Sequence, residues 1–185
     1  MSIKTASVRR FRRLLARPLR RFSRNENGTT AIEFGAVALP FIAFMFAIIE
    51  SGMVFFSGQV LETAVADSAR LILTGQAQSG TLDQTTFKKA ICDKILALID
   101  CNNNVYIDVR KFNSFGGISF DPLIDKDGKL INNFVYQPGN ASEIVVVRLV
   151  YEFPVFVQLW NPKLVSMAGN KRLIVATAAF RNEPF

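Results

Sequence analysis

Histidine is absent from the 185 residues, which removes Ser-His and Cys-His nucleophilic mechanisms at once. Cysteine is scarce: Cys92 and Cys101 are the only two. Two thiols without histidine, in none of the usual zinc spacings, do not make a metal site. The chain also lacks a glycine-rich phosphate loop and a dinucleotide fingerprint. No catalytic residue, cofactor or metal is therefore expected. Tryptophan occurs once, as Trp160.

Acidic residues are missing from the first 24 positions. That stretch carries nine of the 22 basic residues (Lys4, Arg9, Arg10, Arg12, Arg13, Arg17, Arg20, Arg21 and Arg24). The remainder holds thirteen basic residues against all fifteen acidic ones, so the net charge of +7 belongs to a tail. No nucleic acid partner is expected. An Arg-rich tail ahead of an apolar segment has membrane topology as a sufficient role.

What the chain does have is an apolar block. Phe34–Ile49 is sixteen residues without a charge, and the block resumes after Glu50 through Met53, Val54, Phe55 and Phe56. About 20 apolar residues cross a hydrocarbon core of ~30 Å. The basic flank is N-terminal, so the positive-inside rule places it in the cytoplasm. The expected organisation is a basic leader at 1–28, a transmembrane anchor at 29–56 and an extracytoplasmic domain at 57–185. Two other readings compete. A buried core helix of a soluble protein would need a cover for these Phe, Ile and Met side chains. A secretory signal peptide would use Ala64-Val65-Ala66 as its cleavage site, but that site lies ten residues beyond Phe56 and the block is bordered by Glu33 and Glu50.

The junction reads Asn27-Gly28-Thr29-Thr30-Ala31-Ile32-Glu33-Phe34. A glycine, four small or apolar residues, a glutamate and an aromatic, opening an apolar helix, resembles the processing site of type IV prepilins. The segment Thr29–Gly52, with Pro40 inside it and Ile48-Ile49-Glu50 near its outer end, resembles the anchor of the TadE/TadF pseudopilins of tight-adherence (Flp-type) pilus systems. Gln59–Arg70 is similar to that family's continuation, and Ala178–Phe185 is similar to its C-termini. The resemblance implies cleavage after Gly28 by a prepilin peptidase. It further implies pairing of Glu33 with the free amino terminus of a neighbouring subunit. The partners it implies are the bacterial inner membrane, other pilins or pseudopilins, and platform proteins of pilus assembly.

The residues themselves support such chemistry. A glycine before the cut has no side chain to obstruct a peptidase and adopts backbone angles others avoid. Cleavage would make Thr29 a new amino terminus at the membrane edge. An acid in an apolar helix costs about 2.5–3.5 kcal/mol at the bilayer centre and less near an interface, so Glu33 gains from a cation partner. Glu50 lies seventeen residues further on, about 26 Å along a helix, so the two carboxylates form no single site. It is expected at the outer interface, with a buried assembly contact as the alternative. Pro40 has no N–H and disturbs the helix one turn earlier, near Ala36.

Beyond the anchor, Leu61, Val65, Ser68/Ala69 and Ile72 recur at helical spacing, predicting one helix from Thr29 to Leu73. Gly75 and the polar run Gln76–Gln84 end it. A second helix follows, capped by Asp83 or Thr85, with Phe87, Ile91, Ile95 and Leu98/Ile99 on one face. Strands are predicted around Val105–Arg110, at Leu130–Tyr136, at Glu143–Phe153 and at Lys171–Phe180, with Pro154–Met167 as loop or short helix. Asp125-Lys126-Asp127-Gly128 reads as a turn. As a calcium loop it would put Leu123 and Phe134 at ligand positions. The fold class is α+β: a long N-terminal transmembrane helix, a second helix and an antiparallel sheet of about three to four strands, pilin-like. Cys92 and Cys101, the sole pair, are expected to be bridged in an oxidising compartment.

The function expected is a minor pseudopilin or assembly factor of a tight-adherence pilus, with its N-terminus cytoplasmic and its domain periplasmic. The alternative is an uncleaved, single-pass, membrane-anchored periplasmic binding or adaptor protein.

Overall fold

The computed structural model describes residues 28–80, 82–95, 99–156 and 165–185. The basic residues of the leader, Leu98 and Trp160 lie outside the described residues. Contacts divide the chain into two units, Met1–Phe46 and Ala47–Phe185.

Helix α1 spans Thr29–Leu73, as its periodicity predicts, and runs through Pro40. In the first unit its side chains are apolar on every side and exposed, among them Ile32, Phe34, Val37, Leu39 and Phe41. A helix that is apolar all round belongs in an apolar surrounding. It is the one helix among the described residues long and apolar enough to cross a membrane.

In the second unit α1 is different. Val54, Leu61, Ala64, Val65, Ser68, Ala69 and Ile72 form a buried stripe, with Glu62, Asp67 and Arg70 outside it. Gly75 ends the helix in the left-handed region, at φ 75°. There follow α2 (Gln76–Ser79), α3 (Gln84–Cys92) and α4 (Cys101–Asn104). Asp83 is the cap of α3 and accepts from the Thr86 amide at 2.7 Å. The second helix is shorter than its apolar spacing predicts: it stops at Cys92, and Ile95 and Ile99 are buried from the turn beyond it. The polar run Gln76–Gln84, predicted as a terminator, contains the single turn of α2.

Three strands, β1 (Val105–Phe112), β2 (Ile144–Pro154) and β3 (Lys171–Arg181), form an antiparallel sheet in the order β1-β2-β3. The α+β expectation therefore holds, with three strands. Leu130–Tyr136 is not a strand. Leu130 and Tyr136 each make an isolated bridge, to Ile124 and Val109, because this segment bends over the sheet instead of extending a ladder. The Asp125–Gly128 turn forms as predicted: the Gly128 amide donates to the Asp125 carbonyl at 3.1 Å, and Asp125 Oδ1 accepts from the Asp127 and Lys129 amides.

One face of the sheet packs on the α1 stripe. Val105, Ile107 and Val109 of β1 and Val145, Val147, Leu149, Tyr151 and Phe153 of β2 share a core with Leu61, Val65, Ile72, Phe87 and Ile91. Burying each large apolar side chain contributes roughly 1.5–3 kcal/mol. β2 is also covered on its other face, so nine successive residues, Val145–Phe153, are buried. That is why its sequence reads as a nearly unbroken apolar run and not as an alternation.

Candidate functional site

The residues singled out by sequence fall in separate places. Gly28, Thr29, Glu33 and Phe34 are consecutive with the start of α1. Gly28 immediately precedes the helix, and Thr29, Glu33 and Phe34 are exposed. Among the described residues, a Cβ added at Gly28 would meet nothing within 4 Å. Pro40 is exposed.

Glu50 is buried, at 4 % exposure. Its Oε1 accepts a hydrogen bond from the backbone N–H of Phe156, 106 residues away in sequence. The carboxylate expected at the outer membrane interface thus has a partner within the chain, as burial of a polar group requires.

Cys92, the last residue of α3, is bonded to Cys101, the first of α4, with Cα atoms 5.5 Å apart. The bridge closes the turn that carries Ile95 and Ile99 into the core. Among the described residues no three His, Cys, Asp or Glu side chains gather as metal ligands.

The alternation of β1 hides its most consequential polar residue. Asp108, which alternates with the apolar Val105, Ile107 and Val109 along the strand, is fully buried. It stands directly across from Arg148 in the ladder. Asp108 accepts from Arg148 Nε at 3.1 Å, from Arg110 Nε at 3.0 Å and from the Val135 amide at 3.0 Å. The Arg148 guanidinium also lies 3.6 Å from the centre of the Phe120 ring, and Arg110 Nη2 donates to the Asn133 carbonyl. One carboxylate thus fastens the 113–137 segment to the sheet's second face. In such a buried pair the desolvation penalty offsets much of the attraction, but removing one partner leaves the other charge buried without compensation. A sequence signal existed, since Asp108 and Arg148 are opposite charges in otherwise apolar strands, but only the register joins them. Elsewhere on that face Lys171 Nζ donates to Glu152, and this bond raises the Lys171 pKa.

The end of the chain closes the second unit. Asn182, buried, donates to the carbonyls of Pro138 and Asn140 at 3.0 and 2.9 Å. The Glu183 amide donates to the Leu73 carbonyl at 2.9 Å, satisfying an acceptor that a helix terminus leaves open. The Phe185 ring occupies the space where a Gly75 side chain would stand, so position 75 requires glycine for its φ and for its room.

The fold and the site define an α+β protein with one N-terminal helix, among the described residues, long and apolar enough to span a membrane. Residues 28–70 match the family model described as TadE-like protein, so this segment is similar to the TadE-like proteins, a family of the tight-adherence pilus system. No curated protein and no solved structure matches the chain. The match begins at Gly28, one residue before α1, and stops within the buried stripe of that helix.

Proposed function

We propose that the protein is a minor pseudopilin or assembly factor of a tight-adherence pilus. It is anchored in the bacterial inner membrane by the first part of α1, with the leader cytoplasmic and the α+β domain periplasmic. A prepilin-type peptidase cuts after Gly28 and leaves Thr29 as the amino terminus. The new amine pairs with Glu33 of a neighbouring subunit. The protein works by helix packing and surface contacts with other pilins and platform proteins, not by catalysis.

The observation that carries this reading is the coincidence at one position of three things: the start of the family match, a glycine that no other described residue crowds, and the first turn of an exposed apolar helix. Removal of the leader also removes nine positive charges that would repel one another as anchors gather.

Mass spectrometry of the mature protein tests the proposal. The expected N-terminus is Thr29, and a Gly28→Leu variant should retain the leader. A wild-type protein that keeps residues 1–28 would identify an uncleaved anchor. An N-terminus just after Ala66 would identify a signal peptide.

A further inference from the structure

We propose that Phe156 is a second contact of this chain with the membrane, seated in the water–lipid interface beside the outer end of the anchor. The inference rests on the reading that α1 crosses the bilayer.

Counted along the helix, Glu50 is 21 residues beyond Thr29, about 32 Å at 1.5 Å per residue. That matches the ~30 Å of a hydrocarbon core. An anchor entering at Thr29 therefore leaves the core at Glu50. The loop after β2 comes to this same level, because the Phe156 amide donates to the Glu50 carboxylate. The adjacent Val155 amide donates to the Asn170 carbonyl at 2.9 Å, and the Val155 side chain is buried. The backbone on both sides of the Val155–Phe156 peptide is thus held.

What this fixed backbone presents is an aromatic ring 72 % exposed. On α1, Ile49, Met53 and Phe55 are exposed too, Phe55 at 80 %. These side chains carry no charge, and single exposed apolar residues are ordinary, but a set gathered around one level needs an apolar partner. Phe, Leu and Trp side chains on the apolar face of an interfacial segment bury into the boundary between headgroups and acyl chains. The Glu50 bond serves both ends: it neutralises the need of a carboxylate at the lipid boundary for a donor, and it sets the depth of Phe156.

The full-length protein, reconstituted in phosphatidylethanolamine–phosphatidylglycerol vesicles, allows a direct test. Single cysteines for spin labelling are introduced as Phe156→Cys, Ile42→Cys and Phe115→Cys, the native pair being bonded. Collision rates with oxygen and with a water-soluble nickel chelate then report depth. The oxygen-to-nickel ratio at 156 should be several-fold above that at 115 and below that at 42. A ratio at 156 equal to that at 115, with 42 in lipid, overturns the proposal and leaves the anchor standing. An aqueous signal at 42 overturns both. In a Glu50→Ala background the label at 156 should move toward the value at 115 while 42 is unchanged, and Glu50→Gln, which keeps an acceptor oxygen, should restore it. Equal depth at 156 in all three backgrounds would refute the role given to Glu50.

Discussion

Between Thr29 and Phe46, α1 exposes Ile32, Phe34, Val37, Leu39, Phe41 and Phe44; between Ala47 and Leu73 it buries Val54, Leu61, Val65 and Ile72. Both stretches are rich in apolar residues. They differ in how those residues are distributed around the axis. The first has no polar face, so no single neighbour can cover it and only an apolar surrounding suits it. The second places Glu62, Asp67 and Arg70 outside a stripe that one sheet covers. Apolar content therefore does not decide what a helix is for. Its arrangement around the axis does.

The sharpest way to break this comparison is to truncate one residue on each side. Leu61→Ala should destabilise the folded domain by about 2–5 kcal/mol, the range for a buried leucine replaced in a packed core. Phe41→Ala, at an exposed position, should leave the domain's denaturation midpoint unchanged. Chemical denaturation of the detergent-solubilised protein measures both. Equal losses would show that the two stretches share one environment.

A smaller effect tests whether the domain is held independently of the anchor. Opening the Cys92–Cys101 loop with Cys92→Ser and Cys101→Ser should cost ~2–3 kcal/mol, the chain-entropy value for a loop this short. Thermal unfolding of the domain should fall accordingly, while membrane partitioning of the full chain should not change. If partitioning falls as well, the domain is required for insertion.

The smallest effect concerns α3, which carries Phe87 and Ile91 against the stripe. Hydrogen bonds from the Thr86 side chain and amide hold the Asp83 carboxyl below its ordinary value. A depressed acid contributes stability above its unfolded pKa and loses it as pH falls through the folded one. Wild type should therefore exceed Asp83→Ala in thermal midpoint at neutral pH. The gap should shrink as the solution is taken below the carboxylate range. A gap independent of pH would mean that the cap works without its charge.

Local patterns were legible in the sequence and distant partnerships were not. The bounds of α1, the cap at Asp83, the turn at Asp125–Gly128 and the two long strands each follow from residues within a turn or two of one another. The pairing of Cys92 with Cys101 was accessible because no other thiol competes. The burial of Asp108 is not legible, because alternation reports which face a side chain takes, not whether that face is covered. Its cover comes from Val135, Arg148 and Phe120, brought by register and by an irregular segment. The position expected of Glu50 at the outer end of the anchor says nothing of its partner, which is the backbone of a residue 106 positions on. Of the candidate site, Gly28–Phe34 could be read directly, since its residues are contiguous.

The stripe on α1 has a consequence in time. Ile72 is made well before the strands that cover it: β2 begins at Ile144 and β3 ends at Arg181. At ~5–20 residues per second, the interval between Ile72 and the end of the last strand is roughly 5–22 s. Until then Leu61, Val65 and Ile72 have no complete sheet to rest on. Isolated helices form in about a microsecond, so α1 is ready long before its cover exists. The order of elements along the chain thus sets how long the stripe waits for its cover, and a nascent domain in this state is exposed to aggregation.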